Sequence, residues 1–345
     1  MLSVYTLEQA SEWDDVVRTF SDYDTYWLSG YVRAFEIHGE GEPLLFFLQS
    51  DTARAINVVM KRDISKFDKL SGKLAEGEWF DFSTPYGYGG WIVEGENADA
   101  LFPEYEQWCL KNNVVSEFVR FHPVIENERY SRDFYDVVRL GETVTMELSS
   151  PDTVWENITS KNRNMIRKAE KNGIKIYNGR YPEIFRVFRE IYNETMDKDN
   201  ADAYYYFSDE FYNSILNDLP NNAEVFYAVY DGTVIAASIM LMANGKMNYH
   251  LSGSRRAFSS LAPTNLLLYK AALWGESNGY KTLYLGGGVG SAEDGLFKFK
   301  RSFYRGDDLH RFCIGKKIFN KEKYDELVSM REDVSGSGFF PIYRA

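Results

Sequence analysis

Two cysteines, Cys109 and Cys313, are all that this 345-residue chain contains. That is too few for a disulfide framework or a structural zinc site, and it fits a reduced, cytoplasmic setting. Histidine is scarce as well, at four residues. None of them stands in a His-Glu-x-x-His or paired-His spacing, so no metal site is expected. No run of about 18 apolar residues is present, so nothing should span a bilayer. The start, MLSVYTLEQASEWDD, lacks the basic-then-apolar layout of a secretory signal. There is no Gly-x-Ser-x-Gly elbow, and neither cysteine has the context of a nucleophile. Excess positive charge is missing too. A formal charge of −12 argues against nonspecific coating of nucleic acid, though not against a small basic footprint on one face.

Aromatic residues, by contrast, are abundant at 16%, led by 25 Tyr and 24 Phe. Tyrosine suits the lining of clefts, because its flat apolar face carries a hydroxyl. With 44% apolar and 26% charged residues, the composition is that of a folded globular protein. Its length favours two domains over one core.

The order of elements repeats. Leu44–Leu48 and Arg54–Met60 read as a hairpin, followed by a strand at Glu78–Ser83. That strand runs into the turn-rich aromatic loop Pro85-Tyr86-Gly87-Tyr88-Gly89-Gly90. Asn97–Asn112 has the period of an amphipathic helix, and Ser116–His122 returns as a strand. In the second half, Ala223–Tyr230 and Thr233–Ala243 flank Asp231-Gly232, a two-residue hairpin turn. A strand at Lys246–Ser252, a helix at Pro263–Asn278 stopped by Gly279, and a strand at Lys281–Leu285 complete the series. Hairpin, strand, loop, helix, strand thus occurs twice, which predicts two similar α/β (α+β) domains. The expected limits are 1–150, 151–315, and a tail 316–345 that packs back on the first domain as a strand-to-helix element.

Two basic segments stand out against the acidic background. Between the halves, Arg163, Arg167 and Lys171 fall at i, i+4 and i+8 on one helix face, opposite Ile166 and Ala169. Like charges so spaced repel by a few tenths of a kcal/mol, roughly. An anionic partner would repay that, while a solvated helix face is the other reading. Further on, three glycines (Gly286–Gly288) follow a hydrophobic strand and lead to DGLFKFKRSFYR at Asp294–Arg305. There Lys298, Lys300, Arg301 and Arg305 alternate with Leu296, Phe297, Phe299 and Phe303, as a strand with cations on one side would. Such a cluster suits a phosphorylated ligand; a solvated edge on a buried aromatic strand is the alternative.

The SKNRNMIRKAEKNGI helix, the PYGYGG loop with EFVRFHPVIEN, and LGGG…DGLFKFKRSFYRG together resemble the Fem family of peptidoglycan interpeptide-bridge aminoacyltransferases, within the GNAT acyltransferase superfamily. The similarity runs from about Tyr26 to about Gly306. It implies two tandem GNAT-like domains. It also implies transfer of an amino acid from aminoacyl-tRNA to a stem-peptide amine of lipid II or UDP-MurNAc-pentapeptide, with no tightly bound cofactor and no DNA. Any membrane contact would be peripheral. Phe207–Ala223 is too short for the coiled-coil arm of some members. Acyl-CoA is the rival donor, for a polysaccharide or amino-sugar acceptor. Against it, RRAFSSLAPT at Arg255–Thr264 has no glycine to let backbone amides approach a pyrophosphate. A non-catalytic protein holding a nucleotide-sugar or RNA is the reading from another class.

Acyl transfer to an amine needs a free amine, a polarised carbonyl and help for the leaving group. By resemblance Lys300 is placed in the second-domain cleft, where it would stabilise charge on the carbonyl or the departing oxygen. Lys298, Arg301, Arg163 and Arg167 would hold phosphates. Arg120 and His122 share a strand face and would meet Tyr86 and Tyr88, which cover the acceptor. Asp81 and His122 are the candidate proton acceptors. His250 and Ser252 share a strand face in the second domain and are candidate substrate contacts.

Overall fold

The computed structural model describes every residue except Asn97, Asp333 and Ser335. The chain forms two compact units. One comprises Met1–Leu140 with Arg311–Ala345, the other Gly141–His310.

The first unit contains β1 (Leu2–Tyr5), α1 (Ala10–Arg18), α2 (Ser29–His38), β2 (Glu42–Gln49), β3 (Ala53–Asp63), β4 (Phe80–Ser83), β5 (Ile92–Gly95), α3 (Phe102–Lys111) and β6 (Val114–Arg120). The next strand, β7 (Asp136–Glu147), enters the second unit at Gly141. There follow α4 (Pro151–Asn157), α5 (Ser160–Lys171), β8 (Lys175–Gly179), α6 (Pro182–Asp199), α7 (Asp209–Asp218), β9 (Ala223–Tyr230), β10 (Thr233–Ala243), β11 (Lys246–Ser254), α8 (Pro263–Ser277), β12 (Thr282–Gly286) and α9 (Gly295–Arg301). The chain then supplies β13 (His310–Ile318) and α10 (Lys321–Ser329) to the first unit.

In the first unit the strand order is β1-β2-β3-β4-β6-β13, with β5 also on β3. β4 and β6 run parallel, and α3 is the crossover between them. The core gathers Phe46, Phe82, Trp91, Phe102, Tyr105 and Phe121. Glu117 lies within it, accepting bonds from Asn57 Nδ2 at 3.0 Å and from the hydroxyls of Tyr105 at 3.0 Å and Tyr135 at 2.9 Å. Burial lifts its carboxyl to about 7 against those three bonds and the charge of Lys317.

In the second unit β12 pairs with β7 and β11, and β10, β9 and β8 follow. The β9–β10 hairpin turns on Asp231-Gly232, with φ of 47° and 71°, as a tight two-residue loop requires. The core holds Phe226, Leu266, Leu267, Leu283, Phe297 and Phe303. Capping fixes the helix starts. Ser150 accepts from Thr153 N at 3.1 Å, and Asp294 from Phe297 N at 2.8 Å.

Several sequence expectations shift. The expected first boundary at 150/151 falls at 140/141, because Val144–Glu147 pair with β12. The expected second boundary at 315/316 falls at 310/311, since Arg120–Ser116 pair with Ile314–Ile318. The helix expected over Asn97–Asn112 is a 3-10 turn at Ala98–Leu101 leading into α3, and Asn97 lies outside the described residues. The DGLFKFKRSFYR segment is a helix, not a strand. Over seven residues an alternating pattern does not separate period 2 from period 3.6. Phe297 and Lys300, three apart, share the buried face, while Lys298 is exposed. The helices α6 and α7 have no counterpart in the sequence reading, and α6, the longest helix described, has 18 residues. There is accordingly no coiled-coil arm among the described residues. No helix among them is long and apolar enough to cross a membrane.

Candidate functional site

The first unit places the aromatic loop over the C-terminal end of β6. Gly87 has a left-handed φ of 97°, and a Cβ there would meet the Tyr26 ring at 2.5 Å, so glycine is required twice over. The loop is pinned from three sides. Tyr31 Oη donates to Tyr86 O, Arg120 Nε donates to Gly87 O at 2.9 Å, and Glu40 Oε2 accepts from Tyr86 N at 3.1 Å. Phe35 stacks on Tyr86 with centroids 5.6 Å apart. The Arg120 guanidinium lies 5.3 Å from the centre of the Phe312 ring, which Tyr88 meets edge-on. Tyr86, Tyr88, Arg120 and Glu40 are all partly open to solvent. The structure therefore brings together Tyr86, Tyr88 and Arg120, as the sequence suggested.

Asp81 and His122, the expected proton acceptors, lie close to the loop in sequence and strand order, but both are fully buried. Asp81 accepts from Arg62 Nε at 2.7 Å, from Tyr343 Oη at 3.0 Å and from Arg344. Burial would raise its pKa, but Arg344 and Arg62 outweigh that and hold it below the usual carboxylate range. Asp81 is thus an anchor for the C-terminal segment, not a base. His122 Nε2 lies 3.0 Å from Asp24 Oδ2, and its Nδ1 accepts from Ile125 N at 3.3 Å. Both ring nitrogens are used inside the fold, with Tyr26 and Trp27 against the ring. His122 is a structural histidine.

In the second unit, β11 and β12 pair in parallel over only three positions among the described residues, 246–248 with 282–284. Beyond them β11 continues on β10, while Gly286 pairs with Val144 of β7. The end of β12 is therefore left facing a gap in the ladder. Lys300 arrives there from α9, and its Nζ donates to Gly287 O at 2.7 Å. Gly286 has φ of 83°, and a Cβ on it would stand 3.2 Å from that Nζ. Only 9% of Lys300 is exposed. Burial draws its ammonium down to about 8, against the nearby carboxylate of Asp294.

The two basic segments meet. Thr159, the cap of α5, donates its N–H to Ser302 O at 2.9 Å, which ties the start of α5 to the end of α9. On α5 the guanidiniums of Arg163 and Arg167 lie 5.8 and 5.1 Å from the centre of the Trp155 ring. Lys298 is exposed on α9. Arg301 donates to Tyr304 O and lies 3.5 Å from Asp307, so it closes the turn after α9.

The expected pairing of His250 with Ser252 rested on strict alternation, which a bulge interrupts. Leu251 pairs with Ile239 and Tyr249 with Met240, leaving His250 as the extra residue. Ser252 Oγ lies 2.8 Å from Ser238 Oγ, and both serines bond the Tyr249 hydroxyl. Burial lowers His250 to about 3, which keeps its imidazole neutral at physiological pH. Sequence reasoning passed over Glu40, Tyr26 and Tyr31. They lie on or beside α2, distant in sequence from the loop they hold, and no local pattern marks them.

Residues 160–301 match the family model described as Acetyltransferase (GNAT) domain. Among solved structures, that of FemX aligns over 94% of this chain and 99% of its own, at 13% identity and a TM-score of 0.69. The structure of L-PGS from Bacillus licheniformis aligns over 93% and 94%, at 13% identity and a TM-score of 0.57. The C-terminal domain of a provisionally named lysylphosphatidylglycerol synthetase from Agrobacterium fabrum aligns over 92% of each chain, at 14% identity and a TM-score of 0.55. No curated protein sequence matches. At such identities the structural likeness is one of fold, and the chemistry rests on the matched domain. Residues 160–301 thus match a GNAT acyltransferase domain, and the fold of the chain is like that of FemX.

Proposed function

We propose that the protein moves an amino acid from aminoacyl-tRNA to an amine on the stem peptide of a peptidoglycan precursor, either lipid II or UDP-MurNAc-pentapeptide. The observation that carries this reading is Lys300. A buried ammonium at a glycine-rich strand end, bonded to one backbone carbonyl, is a donor held ready for a developing oxyanion. In transfer from an ester it would stabilise the tetrahedral oxygen or the departing ribose oxygen. Arg163, Arg167 and Lys298 supply positive charge for phosphates of the donor, and the tie between α5 and α9 supports their acting on one ligand. The partly exposed Tyr86, Tyr88 and Arg120 of the first unit would receive the acceptor. The likeness of fold to FemX and to a lysylphosphatidylglycerol synthetase supports an aminoacyl donor.

The match to an acetyltransferase model favours a second reading, with acyl-CoA as donor. The segment before α8 speaks against it. Arg255 bonds Val234 O at 3.1 Å and pairs with Glu194, and Ala262 occupies a left-handed position (φ 57°) that brings a Cβ where glycine would leave space. The test offers mixed charged tRNAs carrying labelled amino acids, and separately labelled acetyl-CoA, with UDP-MurNAc-pentapeptide. Label passing from tRNA to peptide, and lost in Lys300→Met, is the expected result. Label passing from acetyl-CoA alone would overturn it.

A further inference from the structure

In the second unit β8 has a free side. It ends the strand order, and the backbone groups of Lys175–Gly179 that point away from β9 have no partner among the described residues. A strand edge of this kind accepts another extended chain. Side chains alternate along β8, so its two faces differ. On one face Tyr177 stands in register with Tyr227, their ring centroids 5.8 Å apart, and Tyr181 Oη lies 2.9 Å from Tyr227 Oη. Tyr177 is 46% exposed and Tyr181 42%. On the other face Ile176 packs toward the core, and a groove of about 420 Å³ opens beside it with Ile174, Ile176 and Leu266 in its walls. Positive charge surrounds this edge. Lys168, Lys171 and Lys175 are exposed, and no carboxylate pairs with them among the described residues. Carboxylates at the edge are already engaged: Glu170 by Lys270 at 2.9 Å, and Glu224 by Asn178 Nδ2 at 2.8 Å.

We propose that the free edge of β8 binds an extended acidic peptide of a partner protein as an added strand, one in which apolar and acidic residues alternate. The backbone of that peptide completes the ladder. Its apolar side chains enter the groove walled by Ile174, Ile176 and Leu266, and its carboxylates lie on the tyrosine face, toward Lys175 and the phenol hydroxyls. The charges decide against a second copy of this chain as the occupant. Pairing β8 with β8 would gather two sets of the same lysines at one seam, with no carboxylate left to answer them. None of the residues assigned to acyl transfer lines the groove, so the surface can hold a partner while the transfer site works.

The experiment measures binding of the full chain to a short labelled peptide of alternating valine and glutamate, capped at both ends, by fluorescence anisotropy. Two control peptides accompany it, one with lysine in place of every glutamate and one N-methylated on alternate backbone nitrogens. The glutamate peptide is expected to bind at least about tenfold more tightly than the lysine peptide at low salt. N-methylation along the pairing edge should cost about tenfold or more, because it removes backbone donors and leaves the side chains intact. Hydrogen exchange locates the contact: the glutamate peptide should slow amides within Lys175–Gly179. Lys175→Glu, at an exposed position, should weaken binding by about tenfold with an unchanged melting temperature. Should that variant fail to fold, the three peptides on wild type still decide. Equal binding of the glutamate and lysine peptides, or full affinity of the N-methylated one, would overturn the proposal. So would protection that appears only outside β8. Protection of β8 that grows with protein concentration in the absence of peptide would make a second copy the occupant and overturn it too.

Discussion

Asp81 and Lys300 are both buried ions, one in each unit, and their surroundings are opposites. Asp81 has two guanidiniums and a phenol on its two oxygens, so its charge is fully answered within the fold. Lys300 bonds a single carbonyl, and the nearby Asp294 only partly offsets the cost of burial. A buried charge with a complete set of partners fastens chain segments together. One with an incomplete set keeps capacity for something that arrives later.

The comparison can be broken by removing each ion in turn. Asp81→Ala should cost the most stability, about 3–5 kcal/mol, because it strips a buried ion from its partners and leaves Arg62 and Arg344 facing each other. Denaturant melts of wild type and variant measure this, and a cost below about 1 kcal/mol would deny Asp81 its anchoring role. Lys300→Met should lower transfer by a factor on the order of 10²–10³ while leaving stability unchanged or improved. A large fall in melting temperature would instead make Lys300 another structural ion.

A third buried charge sharpens the contrast. The Glu117 carboxyl has an upward-shifted pKa, so the folded state binds more protons than the unfolded state between about 4.5 and 7. Its contribution is therefore most favourable at low pH and is lost as pH rises through that window, by up to about 3 kcal/mol. The stability of Glu117→Gln relative to wild type should rise from pH 5 to pH 8, and a flat difference would contradict the shift. The smallest effect is expected at the surface. Arg163→Ala with Arg167→Ala should weaken binding of charged tRNA by about tenfold at low salt and reduce its salt dependence, with melting temperature unchanged.

Where the sequence was readable, the physics was local. Asp231-Gly232 demands a tight hairpin, and Gly279 after an apolar helix demands a stop; both features are present. The α5 arginines share a face because helix geometry alone places them so. Misreadings arose where local patterns were ambiguous or distant groups intervened. The alternation in DGLFKFKRSFYR fitted two periods, and the Asp294 cap with burial of Phe297 and Lys300 chose the helix. His122 and Asp81 looked like catalytic groups because a strand pattern names the face but not what packs on it. Asp24, Arg62 and Arg344, far away in sequence, decided both cases.

By itself the sequence determined the twice-repeated α/β order, the turns, the lack of an arm, and the two basic segments, because each depends on backbone geometry over a few residues. Only the tertiary structure decided which charges are spent and which are held ready. Whether an ion keeps its ordinary chemistry depends on its burial and on partners that can come from anywhere along the chain. Asp81 is silenced by Arg344, 263 residues away, while Lys300 is poised by a carbonyl 13 residues before it.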